Sequence, residues 1–360
     1  ENFYRLNDLL ITQERINGLP AVKTFNVKNE KIENINLSEP TYSVELNIAN
    51  SSKDTLEIKY SSPIEPQIII HFNLKTNAQT ISSYKTSDTL LFNTKNYVVK
   101  RVFSKSTDGS EIPITLFYRN NIKLNHQNPL LLEAYGAYGH IEEDGFNRFL
   151  IPLVDRGFIY GSAHVRGGGE FGEEWYEQGR NIKKKNSIED FISCSEYLIE
   201  KGYTSPNKLF ITGGSAGGVT IGGAFVFKPD LYRGVFLRAP FLDVITTMAD
   251  STLPHVKIGY PEWGNPWIQN HYEAMLSYSP YDNIKNTSFP SIFIRSSYND
   301  NRVMYWEAAK FTAKLRENQQ NKTNKIFLIT DMNAGHLRTN FFTEKAQEYA
   351  YMLNLMGIKK

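Results

Sequence analysis

The chain has 360 residues, 40 Lys and Arg against 38 Asp and Glu, and a formal net charge of +2. This length allows one large core or two domains, and the balanced charge argues against a nucleic-acid or anionic-membrane partner. The single cysteine, Cys194, excludes an intramolecular disulfide, the sequence has no metal-like Cys/His cluster, and no run approaches the roughly 18 apolar residues that span a bilayer.

Residues 1–96 form a first region of short β-prone runs separated by polar turns, among them "TYSVELNI", "TLEIKYSS" and "PQIIIHFNL". This spacing predicts a meander of antiparallel strands. Roughly 95 residues suffice for about two blades of a β-propeller or for a small sandwich. A hairpin is predicted next, turning at Asp108–Gly109, because Gly tolerates a positive φ.

Residues 97–360 form the second region, in which apolar strand candidates come to alternate with helical stretches. The strands "PLLLEAYG", "GFIYGSAHVRG" and "KLFITGG" are separated by helices such as "SIEDFISCSEYLIEKG", and the chain closes with the amphipathic "TEKAQEYAYMLNLMG". Such alternation predicts an α/β fold, a mostly parallel, doubly wound sheet covered by helices on both faces. In these sheets the chemistry lies at the carboxyl ends of the strands.

Two further patterns are interpreted as structural. The basic run "NIKKKN" is expected to be a solvated face rather than a binding patch. The stretch Gly167–Gly172 matches G-x-G-x-x-G, but no suitable acidic residue follows a second strand about 20 residues on, so a loop is expected rather than a dinucleotide site.

A candidate nucleophile lies between two pairs of glycines, in "GGSAGG". Residues 213–217 match G-x-S-x-G, at the end of a predicted strand and the start of a predicted helix. This is the context of a nucleophile elbow, in which small neighbours allow close backbone packing and the Ser is presented at the tip. Ser215 is therefore the candidate nucleophile; the alternative is a Gly-rich turn with an ordinary Ser N-cap.

A serine nucleophile needs a base and an acid, and in this fold the chain order is Ser, acid, His. His336 follows the strand "KIFLITD" and can reach Ser215, whereas surface or capping roles are expected for His255 and His271. Asp300 ends the strand segment "SIFIRSSYND" and is preferred as the acid over Asp282 and Asp331. The predicted triad is Ser215, Asp300 and His336.

The tetrahedral oxyanion formed by such a triad needs hydrogen-bond donors. One is expected from the backbone N–H of Ala216, directly after the nucleophile. A tyrosine hydroxyl in the loop "EAYGAYGH" is the second candidate donor, and the residues alone leave Tyr135 and Tyr138 open.

The segment from about residue 129 to the C-terminus resembles the prolyl oligopeptidase family of serine peptidases, and its oligopeptidase B (protease II) branch most closely. The resemblance lies in "HVRGGGEFGEEWYEQGR", "KKKNSIEDF", "GGSAGG", "EWGNP", "SYSPYDN" and "NRVMYWEAAKFTAKLRE". It implies an α/β-hydrolase domain preceded by the last blades of a β-propeller, with the N-terminal half of the family's length absent here.

The same resemblance implies roles for individual residues. It assigns the nucleophile to Ser215, the acid to Asp300 and the base to His336. Among the tyrosines it selects Tyr135 as the oxyanion donor. It also implies that Arg302 holds a substrate carbonyl and that the aromatic ring of Phe241 forms a pocket wall; a surface ion pair and core packing are the respective alternatives.

The sequence departs from the oligopeptidase B pattern in the pocket expected to bind a basic side chain. Acidic residues that precede "EWGNP" in that branch are replaced by Gly259 and Pro261. Glu262 remains, and Glu143 could also attract a basic side chain, since carboxylates pair well with guanidinium groups. Glu143 and Glu262 are therefore the candidate substrate-binding carboxylates.

The leading hypothesis is a serine oligopeptidase that hydrolyses short peptides through an acyl-enzyme, with a preference for basic residues left open. No metal or organic cofactor is expected. The alternatives are an esterase-type hydrolase and a catalytically silent fragment of a split peptidase. A cytoplasmic location is expected, and a separate chain supplying the rest of the propeller is a candidate partner.

Overall fold

The computed structural model describes residues 2–37, 39–52, 54–83, 93–336 and 340–359. The strands are Asn2–Leu6 (β1), Leu9–Ile16 (β2), Leu19–Asn26 (β3), Ile32–Ile35 (β4), Ser43–Leu46 (β5), Thr55–Ser61 (β6), Ile68–Asn73 (β7), Gln79–Ser83 (β8), Tyr97–Lys105 (β9), Glu111–Arg119 (β10), Leu130–Glu133 (β11), Ile159–Ala163 (β12), Leu209–Gly214 (β13), Gly234–Arg238 (β14), Ser291–Ser297 (β15) and Ile326–Asp331 (β16). The helices are Ile151–Val154 (α1), Glu173–Glu177 (α2), Lys185–Glu200 (α3), Gly217–Phe227 (α4), Val244–Ala249 (α5), Val256–Trp263 (α6), Gln269–Tyr278 (α7), Tyr305–Asn318 (α8) and Phe341–Leu355 (α9). Within these described ranges, no helix combines the length and the apolar composition needed to cross a bilayer.

The N-terminal region contains two four-stranded antiparallel sheets, β1–β4 and β5–β8, each with its strands in chain order. Their strands alternate buried and more exposed residues, as expected of a sheet with one packed face. Ile11 of the first sheet and Leu56 and Ile58 of the second belong to one apolar cluster and are fully buried. The predicted antiparallel meander is therefore confirmed, and part of the region predicted with it, residues 84–92, lies outside the described residues.

Strands β9 and β10 form the predicted hairpin. They pair antiparallel along their whole length, from Tyr97 with Arg119 to Lys105 with Glu111. At the turn Gly109 has φ +88°, a conformation that strains a residue with a Cβ. The hairpin joins the large sheet through β10, which pairs antiparallel with β12.

The C-terminal region is built on an eight-stranded sheet in the order β16-β15-β14-β13-β11-β12-β10-β9. The pairs from β12 to β16 are parallel, which confirms the predicted mostly parallel sheet. Neighbouring residues of β13 face opposite layers: Ile211 packs in the main core with Val219 of α4, and Phe210 packs in a second cluster with Met352 of α9. Helices thus cover both faces, and β13, β15 and β16 end at one edge of the sheet.

Candidate active site

Ser215 occupies a tight turn between β13 and α4. Its φ is +51°, an uncommon and strained value for a residue with a side chain. The backbone N–H of Ser215 donates to the carbonyl oxygen of Arg238 at 2.9 Å, which fixes the turn against β14. A Cβ at Gly213 would lie 2.5 Å from Ile221 Cγ1, and one at Gly217 would lie 3.0 Å from the carbonyl oxygen of Ala134. Glycine on both sides therefore permits the close packing that presents Ser215.

Asp300 follows the end of β15 and is 3% exposed. Its Oδ1 accepts hydrogen bonds from the backbone N–H groups of Arg302 and Val303, at 2.9 and 3.0 Å. Burial acts to raise the pKa of this carboxyl, but the hydrogen bonds from His336 and from the two backbone amides outweigh it and leave the pKa below its usual range. Asp300 is therefore an ionised, oriented acceptor.

His336 lies in the loop after β16 and bridges the acid and the serine. Its Nδ1 is 2.7 Å from Asp300 Oδ2, and its Nε2 is 3.1 Å from Ser215 Oγ. The loop is shaped by Asp331, whose Oδ1 accepts from the backbone N–H groups of Asn333 and Ala334. The predicted nucleophile, acid and base thus lie in one hydrogen-bonded chain, although they are separated by up to 121 positions in sequence.

The other acidic and histidine candidates lie outside the hydrogen-bonded triad of Ser215, His336 and Asp300. Asp282 accepts a hydrogen bond from Ser279 Oγ at 2.6 Å. His271 accepts through Nδ1 from the backbone N–H of Asn265 at 3.0 Å, a role in local loop structure. His255 precedes α6 and lines the cavity beside Ser215.

The residues of both candidate oxyanion donors, Tyr135 and Ala216, line one cavity together with Ser215. The backbone N–H of Ala216 lies at the start of α4, where amides have no acceptor within the helix. Burial raises the pKa of the Tyr135 phenol, and a hydrogen bond with the Ser215 side chain acts against this rise. The phenol therefore stays protonated at neutral pH, which keeps it a hydrogen-bond donor next to the nucleophile.

Tyr138 has a different role from Tyr135. Its hydroxyl accepts a hydrogen bond from Trp263 Nε1 at 2.9 Å, and its backbone N–H donates to Glu262 Oε2 at 3.2 Å. Its contacts therefore tie the loop after β11 to the end of α6, beside the cavity next to Ser215.

Arg302 and Phe241 both line this cavity. The ring of Phe241 makes an edge-to-face contact with Trp263, with centroids 4.9 Å apart, and its backbone N–H donates to the carbonyl oxygen of Ser215. Arg302 lies two residues after Asp300, and its positive charge acts to lower the pKa of Tyr135, which lines the same cavity.

The two candidate substrate-binding carboxylates are occupied by other partners. Glu143 forms an ion pair with Arg15 of β2 and does not line the cavity beside Ser215. Glu262 is 1% exposed, and its Oε2 accepts from the Tyr176 hydroxyl at 2.9 Å as well as from Tyr138. Neither carboxylate is among the residues that line the cavity beside Ser215, so their role in substrate binding stays a prediction.

Lys184, in the basic run "NIKKKN", corrects the expectation of a solvated face. Its neighbours Lys183 and Lys185 are exposed, but Lys184 is 0% exposed. Its Nζ donates to the carbonyl oxygen of Gly136 at 2.6 Å and to Glu262 Oε1 at 3.0 Å, and lies 4.7 Å from the centre of the Trp263 ring. Three consecutive lysines give no signal of which one is buried, because its partners are 48 and 78 positions away.

The glycine-rich stretch Gly167–Gly172 is a loop that packs behind the oxyanion segment. The backbone N–H of Gly139 donates to the carbonyl oxygen of Gly167 at 3.0 Å. A Cβ at Gly167 would lie 2.3 Å from the carbonyl oxygen of Gly136. This close approach supports the structural interpretation of the motif.

Comparison with known proteins gives consistent results. The profile of the prolyl oligopeptidase family (Peptidase S9) matches residues 145–359. The chain is 34% identical to dipeptidyl aminopeptidase BI of Pseudoxanthomonas mexicana, over 99% of this chain and 50% of that protein. It is also 34% identical to protease 2 of Moraxella lacunata, over 100% of this chain and 52% of that protein. It spans about half the length of these curated relatives.

Solved structures resemble the chain over the same extent. Oligopeptidase B from Leishmania major has a TM-score of 0.90 and 31% identity. The match covers 99% of this chain and 52% of that one. Oligopeptidase B from Trypanosoma brucei with covalently bound antipain, in a closed form, has a TM-score of 0.90 and 33% identity. The match covers 100% of this chain and 52% of that one.

Proposed function

Since the chain belongs to the prolyl oligopeptidase family of serine peptidases, with an α/β-hydrolase domain, we propose that it is a serine oligopeptidase acting on short peptides. The observation that carries the proposal is the hydrogen-bonded chain from Asp300 through His336 to Ser215, with 2.7 and 3.1 Å separations. This is the geometry that a serine nucleophile and its oriented base require.

In the proposed reaction His336 Nε2 takes the proton of the Ser215 hydroxyl while Oγ attacks the peptide carbonyl carbon. The Tyr135 hydroxyl and the Ala216 N–H stabilise the negative charge on the carbonyl oxygen. The imidazolium, stabilised by Asp300, then gives its proton to the leaving amine, and an acyl-enzyme remains. Water attacks the ester with the same base, which releases the carboxylic acid and restores Ser215.

The proposed site uses only side chains and backbone groups of this chain for these steps. Arg302 would hold a substrate carbonyl, because it lines the cavity beside Ser215 together with Tyr135. The basic-residue preference expected from the resemblance has little support from the charges of the site, since Glu143 and Glu262 are both paired.

The two N-terminal sheets are proposed to be the last blades of a β-propeller. Each is a four-stranded antiparallel meander, which is the form of a propeller blade. The chain spans about half the length of its curated relatives. A separate chain that supplies further blades is a proposed partner.

The test is labelling with a fluorophosphonate probe, which reports an activated serine without requiring peptide turnover. Labelling is expected for the wild type and is expected to be lost in Ser215→Ala and His336→Ala and strongly slowed in Asp300→Asn. His271→Ala and Asp282→Asn are matched controls, because their side chains make local contacts outside the triad. They should label at the wild-type rate.

Turnover assays then separate the alternatives. Hydrolysis of short fluorogenic peptides supports the oligopeptidase, and turnover of esters without peptides supports an esterase-type hydrolase. A folded wild-type chain that does not react with the probe would refute the proposal and support a catalytically silent fragment.

A further inference from the structure

A cavity of about 490 Å³ opens beside Ser215, between the loop after β14 and helices α5 and α6. Its walls are mainly apolar, and the side chains that form them include Phe241, Met248, Val256, Trp263, Val303 and Met304. Trp263 is fixed by the hydrogen bond to Tyr138 and by the edge-to-face contact with Phe241. One wall of the cavity is thus an aromatic surface whose rings hold each other in place.

Among the described residues that line the cavity, Glu307 is the only carboxylate, and it is not available to a ligand. It is 1% exposed, and its Oε2 accepts from the backbone N–H groups of Leu242 and Asp243, at 3.0 and 2.7 Å, while Oε1 accepts from the Thr247 hydroxyl. Burial raises the pKa of this carboxyl to about 7. The other ionisable lining groups besides the two tyrosines are Arg302 and His255, and the arginine is a cation.

The residues of α6 near the cavity provide no unpaired negative charge. Gly259 and Pro261 have no ionisable side chain, and Glu262 forms a buried ion pair with Lys184. The Lys184 ammonium also lies over the Trp263 ring, although Lys184 itself does not line the cavity. An unpaired cation in this cavity would lose its hydration without gaining a free carboxylate partner among the described lining residues.

We propose that this cavity is the pocket for the side chain before the scissile bond, and that it selects a large apolar side chain such as Phe, Leu or Met over Arg or Lys. The inference rests on the proposed function, because it assigns the substrate class of the same site. Burial of apolar surface against Phe241, Met248 and Trp263 supplies the binding free energy. Discrimination against Arg and Lys comes from Arg302 and from the lack of a free carboxylate among the described residues that line the cavity.

The test uses the full chain and acetyl-dipeptidyl diphenyl phosphonates that differ only in the side chain facing the pocket: Phe, Leu, Pro, Arg or Lys analogues. In each case Ser215 Oγ forms the bond to phosphorus and phenol leaves, so the labelling rate reports pocket preference without peptide hydrolysis. The Phe or Leu probe is expected to react at least tenfold faster than the Arg probe. Equal rates, or faster reaction of the Arg, Lys or Pro probe, would overturn the proposal.

The variant Gly259→Asp provides a second, gain-of-function test. A Cβ at this position would lie 3.3 Å from Met248 Sδ and from Trp263 Cδ1, two groups that line the cavity. The new carboxylate is expected to raise the Arg-to-Phe rate ratio at least tenfold, whereas the matched variant Gly259→Asn should leave the ratio near the wild-type value. An equal change in both variants would contradict the charge argument.

The generic fluorophosphonate separates the two levels of failure. A chain labelled by it that prefers the Arg probe retains the proposed function and loses only the apolar pocket. A folded wild-type chain that is not labelled refutes the serine-peptidase proposal, and the pocket assignment with it.

Discussion

The substitution Lys184→Met is expected to destabilise the hydrolase domain and to slow the chemistry of Ser215. It removes the Nζ that joins the carbonyl oxygen of Gly136, in the loop after β11, to the carboxylate of Glu262 at the end of α6. Met fills a similar volume and carries no charge, so the change tests the ammonium group rather than the packing of the stem.

The expected loss of stability follows from the partners that Glu262 keeps after the substitution. Removing one member of a buried ion pair costs about 3–5 kcal/mol, because the other charge stays buried. Burial lowers the pKa of the Lys184 ammonium and the Glu262 carboxylate opposes this shift, so the charge on Lys184 depends on its partner. Glu262 retains hydrogen bonds from Tyr176 and Tyr138, which places the expected loss near the lower limit, about 3 kcal/mol.

The assay is equilibrium unfolding in urea followed by tryptophan fluorescence, since Trp263 lies against Lys184. Lys185→Met is the matched control: this neighbour is 46% exposed and pairs with Glu189 at 3.6 Å on the surface. Its change should lie within about 0.5 kcal/mol. The double variant Lys184→Met/Glu262→Gln is expected to be more stable than the sum of the single changes predicts, by roughly 1–3 kcal/mol.

A second measurement is the rate of fluorophosphonate labelling. Gly136 follows Tyr135, and a small displacement of an oxyanion donor slows the reaction, so Lys184→Met should reduce the rate at least tenfold. Equal unfolding midpoints for Lys184→Met and Lys185→Met would refute the reasoning, whatever the labelling rate. A destabilised variant with an unchanged rate would refute only the link to the oxyanion loop.

Three further predictions concern other polar and charged side chains. Tyr135→Phe should lower kcat by about 10²–10³ with little change in KM, as expected for a lost oxyanion donor, and an unchanged kcat in a peptide or ester assay would contradict that role. Arg166 pairs with the buried Asp190 and with the half-exposed Asp108. In urea unfolding, Asp190→Asn should therefore lower the stability by about 3 kcal/mol or more, and Asp108→Asn by about 1 kcal/mol or less. Similar losses for the two variants would show that burial does not determine the strength of these ion pairs. Burial raises the pKa of Glu307 from 4.5 to about 7, so between these pH values the folded state holds a proton that the unfolded state releases. The free energy of unfolding should therefore fall as the pH rises from 4.5 to 7, by at most about 3 kcal/mol. Unfolding free energies across that range should fall more steeply for the wild type than for Glu307→Gln, and parallel curves would contradict the shift.

Much of the fold could be predicted because its signals are local. Strands such as β13 and β15 are short apolar runs, and their buried residues follow each other along the chain. The turn at Gly109 and the turn at Ser215 are each defined by a few adjacent residues. The chain order of nucleophile, acid and base then indicated Ser215, Asp300 and His336, and His336 lies within hydrogen-bond distance of both other side chains.

The specificity pocket could not be predicted in the same way. Phe241, Met248 and Trp263 come from different elements, and only folding brings them around one cavity. The sequence contains Glu143 and Glu262 as apparent partners for a basic substrate, but Arg15 and Lys184 neutralise them from distant parts of the chain.

The sequence by itself therefore determined which chemistry the chain can carry: the elbow at Ser215, the residues that can activate it and the parallel sheet that aligns them depend on neighbours in sequence. The tertiary structure alone decided which charges remain available. One lysine of three consecutive lysines is buried against Glu262, and the Glu307 carboxylate is bound by backbone amides. Pairing and burial of charge depend on contacts between residues far apart in the chain, and no local pattern encodes them.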